Sequence, residues 1–312
     1  MRIRKLLVAI SFHFVAERLK YLRETTRDLS SFADEVHLVV VTNASDGESH
    51  RQISEHVPQL DRFDIAVPAL LGHPFLLTWV HRNIFKKRYE EQEDISHFLY
   101  IEDDIKLTSE NIAYWLEGRE KLLPFGLIPS FLRYELKDGS TQKLATDITG
   151  RVFLPWLPRV RIFSDYHYIN LPEPYQGCYL LDRELAGEHL FGPSSSPDFG
   201  PWNIREKAAQ GVTFLDVPKG SFSRNFLGVK VADGTVDSRA TIHHIANNYA
   251  NDPMTKFGKV PIDRIFTGRN FFPSYPKKAS NPTFIHGKAL YRFYLTRLKS
   301  SVRRVVEFRK KN

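Results

Sequence analysis

Between residues 5 and 122 the chain alternates short apolar runs with charged, helically spaced stretches, and this alternation constrains the fold more than any other feature. Residues 5–11, 35–42, 63–70 and 96–101 are rich in Leu, Val, Ile and Phe, and they predict four buried strands. Residues 14–32, 73–92 and 108–122 predict helices. Pro74 suits a first turn, and Thr108 or Ser109 suits an N-cap. Elements in that order need crossover connections. They predict an α/β fold on a mostly parallel, Rossmann-like central sheet flanked by helices. Ligands of such sheets sit beyond the carboxyl ends of the strands. Three polar segments fall there: Ser11-Phe12-His13, Thr42-Asn43 and Glu102-Asp103-Asp104.

After residue 125 the pattern is mixed. Residues 126–136 and 152–156 read as strands joined by a polar hairpin at Asp138-Gly139-Ser140. Residues 176–182 and 212–217 read as further strands, and 202–210 as a short helix closed by Gly211. Residues 287–311 return to helical spacing. With 312 residues, one large domain over 1–285 with a C-terminal tail over 286–312 fits the size.

Charge is unevenly placed. From Lys288 onward there are nine basic residues and one acid, Glu307. That accounts for the whole formal charge of +8 and leaves residues 1–287 neutral. A neutral body argues against a broad phosphate footprint, so nucleic acid is not expected as a partner. The tail places Leu295, Leu298, Val302, Val305 and Val306 on one helical stripe among Lys and Arg. It therefore predicts a basic amphipathic helix lying on an anionic membrane surface. No apolar stretch approaches the roughly 20 residues of a membrane span. The run Leu6–Ile10 is too short for a signal-peptide core and reads as a strand. The single cysteine, Cys178, excludes an intrachain disulfide and a cysteine-based zinc site. A cytoplasmic protein, peripheral on the inner face of the membrane, is the expectation.

The acidic triplet carries the chemistry. Glu102, Asp103 and Asp104 follow Phe98-Leu99-Tyr100-Ile101 directly, and strand alternation sets Glu102 and Asp104 on one side. Three carboxylates so close repel one another unless a cation is present. Mn²⁺ or Mg²⁺ takes oxygen ligands and often combines one or two carboxylates with substrate phosphates. The plain alternative is a solvated acidic loop ahead of a helix.

The segment resembles the DxD region of GT-A nucleotide-sugar glycosyltransferases: an apolar strand, an acidic triplet, then a helix. The order of elements up to residue 100 is similar as well. The resemblance implies a nucleotide-binding half over 1–125 and an acceptor-binding half over 126–285. It implies Asp104 as metal ligand and Glu102 as nucleotide contact, with Asp103 able to exchange roles because Glu stands where Asp is commoner. It implies a late histidine ligand, His243 or His244, at most one of the adjacent pair. Tyr175–Glu184 is similar to the small-residue strand that lines the donor sugar. Asp198, just before a short helix, matches the position of a general base. Arg205 and Glu206 are alternatives, and Trp202 is a candidate sugar-stacking ring. By position Ser11, His13, Thr42 and Asn43 are candidate base contacts, and Arg82 a candidate phosphate contact. The function so implied is metal-dependent sugar transfer from a UDP- or GDP-sugar to a glycan or lipid-linked acceptor. The alternatives are a sugar-phosphate nucleotidyltransferase and a non-catalytic membrane-associated scaffold. The first is disfavoured because Ser11-Phe12-His13-Phe14 lacks a Gly-rich basic loop.

Overall fold

The computed structural model describes residues 2–69, 72–162, 166–230, 234–268 and 283–285. The predicted tail helix and most of the chain beyond 268 lie outside the described residues.

The chain is α/β. The strands are β1 (Ile3–Phe12), β2 (Ala33–Thr42), β3 (Arg62–Ala66), β4 (His97–Glu102), β5 (Ile105–Lys106), β6 (Ile128–Pro129), β7 (Leu132–Leu136), β8 (Lys143–Ala145), β9 (Val152–Phe153), β10 (Arg159–Arg161), β11 (Tyr166–Asn170), β12 (Cys178–Asp182), β13 (Asn225–Lys230), β14 (Thr235–Val236), β15 (Thr241–His244), β16 (Val260–Pro261), β17 (Phe266–Thr267) and β18 (Thr283–Ile285). The helices are α1 (Leu19–Thr26), α2 (Gly47–Glu55), α3 (Val80–Glu91), α4 (Ser109–Leu122), α5 (Arg183–Phe191), α6 (Ile204–Lys207) and α7 (Asn248–Asn251).

The first sheet has the order β12-β4-β1-β2-β3. Its pairs β4–β1, β1–β2 and β2–β3 are parallel, whereas β12 runs antiparallel to β4. Leu6, Leu7, Val8, Ala9 and Ile10 of β1 and Phe98 to Ile101 of β4 are fully buried. Strands covered on both faces read as continuous apolar runs, which is why these two were legible. The second sheet, β14-β13-β11-β10-β18, and the third, β16-β8-β7-β15-β5, mix parallel with antiparallel pairs or are antiparallel along much of their length. Over the whole chain the sheets are therefore mixed, a correction to the mostly parallel expectation. Each connection between successive strands from β1 to β4 carries a helix, as parallel pairing requires, whereas most neighbours in the second half pair antiparallel.

Other expectations change in detail. Residues 74–79 form a 3-10 turn before α3 begins at Val80, with His73 capping through Nδ1. Residues 212–217 form turns and no strand; Gly211 and Asp216 there adopt positive φ. Helix α2 was not expected, because Ile53 is its one apolar buried residue and leaves no periodic signal. Asp46 caps it, accepting from Ser49 N at 2.8 Å. Among the described residues no helix is long and apolar enough to cross a membrane.

The acidic turn lies where two sheets meet. Strand β4 ends at Glu102, Asp103-Asp104 form a turn, and β5 enters the third sheet. Its partner there is β15, with His244 opposite Ile105, and Ile245 N donates to the Asp104 carbonyl at 2.8 Å. Sequence positions 104 and 244 are thus joined by backbone pairing.

Candidate active site

A cleft of about 920 Å³ opens over the carboxyl ends of β1 and β4. Ser11, Glu102, Asp103, Asp104, Arg133 and His244 line it, together with Tyr175, Trp202, Arg205 and Glu206.

The three acids have different partners. Asp103 receives a two-point contact from Arg18, Nε to Oδ2 at 2.8 Å and Nη2 to Oδ1 at 2.7 Å. Thr25 Oγ1 donates to its carbonyl at 2.8 Å. Burial pushes the Asp103 pKa up while the same contact raises that of Arg18. The two effects pull apart, and the bidentate geometry is that of an ion pair, so we read Asp103 as ionised. Asp104 Oδ2 accepts from Arg18 Nη2 at 3.1 Å and faces His244 Nε2 at 3.5 Å. Burial opposes its ionisation, but His244 and Arg18 outweigh burial and its pKa falls. Glu102 takes a separate partner: Tyr175 donates its hydroxyl to Oε1 at 2.6 Å. Burial, then the charge of Asp104, push the Glu102 pKa up. Strict alternation does not govern the triplet, because the chain leaves the strand after Glu102.

His244 is 5% exposed and is held at both ring nitrogens. Nδ1 meets Glu135 Oε1 at 2.5 Å, and Nε2 faces Asp104. Glu135 is fully buried and its other oxygen accepts from Ala250 N. Burial disfavours the charged imidazole, yet Asp104 and Glu135 raise its pKa to about 9. A carboxylate behind one ring nitrogen with the other aimed at an acid is the arrangement that orients metal-binding histidines. A carboxylate oxygen beside an imidazole nitrogen suits a borderline divalent ion such as Mn²⁺ better than Mg²⁺, which prefers all-oxygen ligands. Two such ligands at about 2.1 Å from an ion, at a right angle, stand roughly 3 Å apart, close to the 3.5 Å between Asp104 and His244. Among the described residues no group of three His, Cys, Asp or Glu side chains is arranged around a metal position.

His243 points the other way, as strand alternation requires. Its ring stacks on Tyr134 at 4.8 Å and its Nε2 donates to Asn247 Oδ1 at 3.0 Å. Of the two histidines, only His244 lines the cleft.

Several expected site residues are elsewhere. Thr42 is buried at the end of β2, and its hydroxyl accepts from Ala44 N at 3.3 Å. Asn43 Oδ1 accepts from Phe14 N at 2.8 Å and so ties two loops together. Arg82 donates to the Ser195 carbonyl, which spends its guanidinium on the fold. Asp198 is exposed and outside the cleft lining. Glu206 does line the cleft, and its Oε2 is buried with no hydrogen-bond partner among the described residues. Trp202 packs edge-on against Tyr175, ring centroids 5.0 Å apart. Ser11 and His13 line the cleft with Phe75 and Thr78.

Sequence reasoning missed Arg18, Arg133 and Glu135. Arg18 sits in a 3-10 turn and carried no signal. Arg133 and Glu135 did carry one: two opposite charges, two residues apart, between leucines in a strand. Arg133 is 5% exposed, binds Asp147 at 2.9 and 2.6 Å, and lies 4.5 Å from the Tyr175 ring centroid. Gly177 brings backbone against this cluster: at φ +65°, an added Cβ would stand 2.9 Å from Glu102 Oε2. Compared with known proteins, the chain matches no family model and no curated protein.

Proposed function

We propose that this chain is a metal-dependent glycosyltransferase of GT-A type. It would move a sugar from a nucleoside-diphosphate donor to a glycan or lipid-linked acceptor. The observation that carries the reading is the convergence of Asp104 and His244 at 3.5 Å, with buried Glu135 behind the imidazole, in a cleft at the strand ends. Buried carboxylates clustered without a catalytic or ligand role are costly, and this cluster holds more acid than its basic partners neutralise. The sheet order β3-β2-β1-β4-β12 with an antiparallel β12, and an acidic turn after β4, support the GT-A-like assignment.

In this reading Asp104 and His244 hold Mn²⁺ or Mg²⁺. When bound, the ion supplies positive charge to a departing diphosphate. Arg18 fixes the acidic turn by clamping Asp103 and touching Asp104. Ser11 and His13, at the end of β1, border the space for the nucleoside, with Phe75 beside them. Glu102, oriented by Tyr175, would contact the ribose. On the acceptor side Trp202 offers a ring face. Glu206 takes the general-base role that position alone had given to Asp198, because Glu206 lines the cleft. A base there accepts the proton of the attacking hydroxyl. The lipid-linked acceptor and the anionic surface rest on the sequence of residues 288–311 alone.

The test is thermal stabilisation by Mn²⁺ with UDP or GDP. Binding to the folded state at a hundred times Kd would add about 2.7 kcal/mol of stability. Stabilisation that needs both components is expected. No response to any nucleoside diphosphate, with or without metal, would remove the transferase reading.

A further inference from the structure

Resting on that reading, we propose that Arg205 is the anion-binding residue of the cleft and grips the donor diphosphate. The argument begins with how the three cleft arginines use their donors. Arg18 is committed to Asp103 and Asp104 through Nε and Nη2. Arg133 is committed to Asp147 by a two-point contact and is covered by Tyr175. Arg205 differs from both. Its side chain is 57% exposed, and its one hydrogen bond among the described residues is a 3.5 Å approach from Nη2 to its neighbour Glu206. That length is at the edge of hydrogen bonding, so the fork of a planar guanidinium is left open.

The position of Arg205 strengthens the case. Burial disfavours its charge, but the nearby carboxylates Glu206 and Glu102 outweigh burial and raise its pKa. It is therefore a permanent cation in the field of the acidic cluster without being neutralised by it. An anion that already bridges toward Asp104 through a cation would find its second charge partner there. Lys256 also lines the cleft and makes no ion pair among the described residues, so the cleft carries a further positive charge. A diphosphate offers oxygens on two phosphorus atoms and can engage the cation and Arg205 at once. Guanidinium matches phosphate oxygens bidentately, which an ammonium does not.

The experiment is titration calorimetry of the full chain with Mn²⁺ present, using inorganic pyrophosphate and UDP as probes. It compares wild type with Arg205→Gln and Arg205→Lys. Loss of a charge-assisted pair should weaken both probes by about tenfold or more in Arg205→Gln, with Arg205→Lys between. Mn²⁺ affinity measured alone should not change, and neither should the melting temperature. Wild-type affinity for both probes in Arg205→Gln would overturn the proposal while leaving the transferase reading in place. If the wild-type protein itself binds neither probe, the transferase reading and this proposal fall together.

Discussion

Two buried histidines, His81 and His244, are treated in opposite ways. His81 lies inside the first sheet's helical layer, 1% exposed. Its Nδ1 donates to the Thr78 carbonyl at 2.6 Å, so its Nε2 must accept from the Tyr179 hydroxyl at 2.7 Å. Every bond is satisfied by a neutral ring, and burial lowers its pKa to about 3. His189 nearby donates to or accepts from Ser194 and is likewise lowered to about 3. His244 is also buried but stands between two carboxylates, and its pKa rises to about 9. Burial alone therefore does not mark a functional histidine. What distinguishes His244 is an excess of acid around it that only a proton or another cation can balance.

The largest expected effect breaks the acidic side of that contrast. Asp104→Asn keeps shape and one acceptor oxygen but removes the charge facing His244. Turnover with Mn²⁺ should fall by about a thousandfold, with the melting temperature nearly kept, as read by a transfer assay beside circular dichroism. Undiminished turnover would reduce the cluster to a structural one. Next is the residue behind the ring. Glu135→Gln should weaken Mn²⁺ binding by roughly 10- to 100-fold through loss of orientation and basicity, measured by metal titration.

The contrast also predicts opposite pH responses of stability in metal-free protein. For His81 and His189 the folded pKa lies below the unfolded value near 6.5. The unfolded state binds more protons between those values, so stability is lost as pH falls below about 6.5. At pH 5 each should cost roughly 2 kcal/mol relative to neutral pH. For His244 the folded pKa is raised, so its contribution is full below about 6.5 and disappears as pH rises through about 9. Urea melts from pH 5 to 9.5 with His81→Gln and His244→Gln should flatten one limb each. If both variants flatten the acidic limb, His244 is another neutral core histidine.

The same comparison explains what the sequence could tell. Strands β1, β2 and β4 of the first half were legible because both faces are covered, and Phe98–Ile101 followed by three acids is visible without coordinates. Asp104 and the His243-His244 pair were legible as types. Their juxtaposition was not, since it depends on β5 pairing with β15 across the 134 residues between Lys106 and Thr241. Strand β13, central to the second sheet, escaped because Asn225, Gly228 and Lys230 interrupt its apolar residues. Asp198 and Arg82 were chosen by position along the chain. The actual cleft instead receives Glu206, one side of a four-residue helix, whose direction no spacing rule sets. Arg18 was invisible because a lone arginine in a turn looks like any surface cation until its partner 85 residues away is placed.

The smallest effect is the sharpest check on which of two neighbours matters. His243→Gln should leave Mn²⁺ affinity within about twofold of wild type and cost only about 1 kcal/mol in stability. Alternation sends His243 to the face of β15 away from the cleft, onto Tyr134. Its hydrogen bond to Asn247 is not essential to that residue, because Asn247 Oδ1 also accepts from Leu136 N at 2.8 Å. Asn247 holds φ at 51°, a conformation its short amide tolerates, and its Nδ2 bonds to the Ile245 carbonyl. The turn that follows His244 thus keeps its anchors when His243 is replaced. Had His243 carried the ion, its loss would match that of His244→Gln, and Glu135 would be backing the wrong ring.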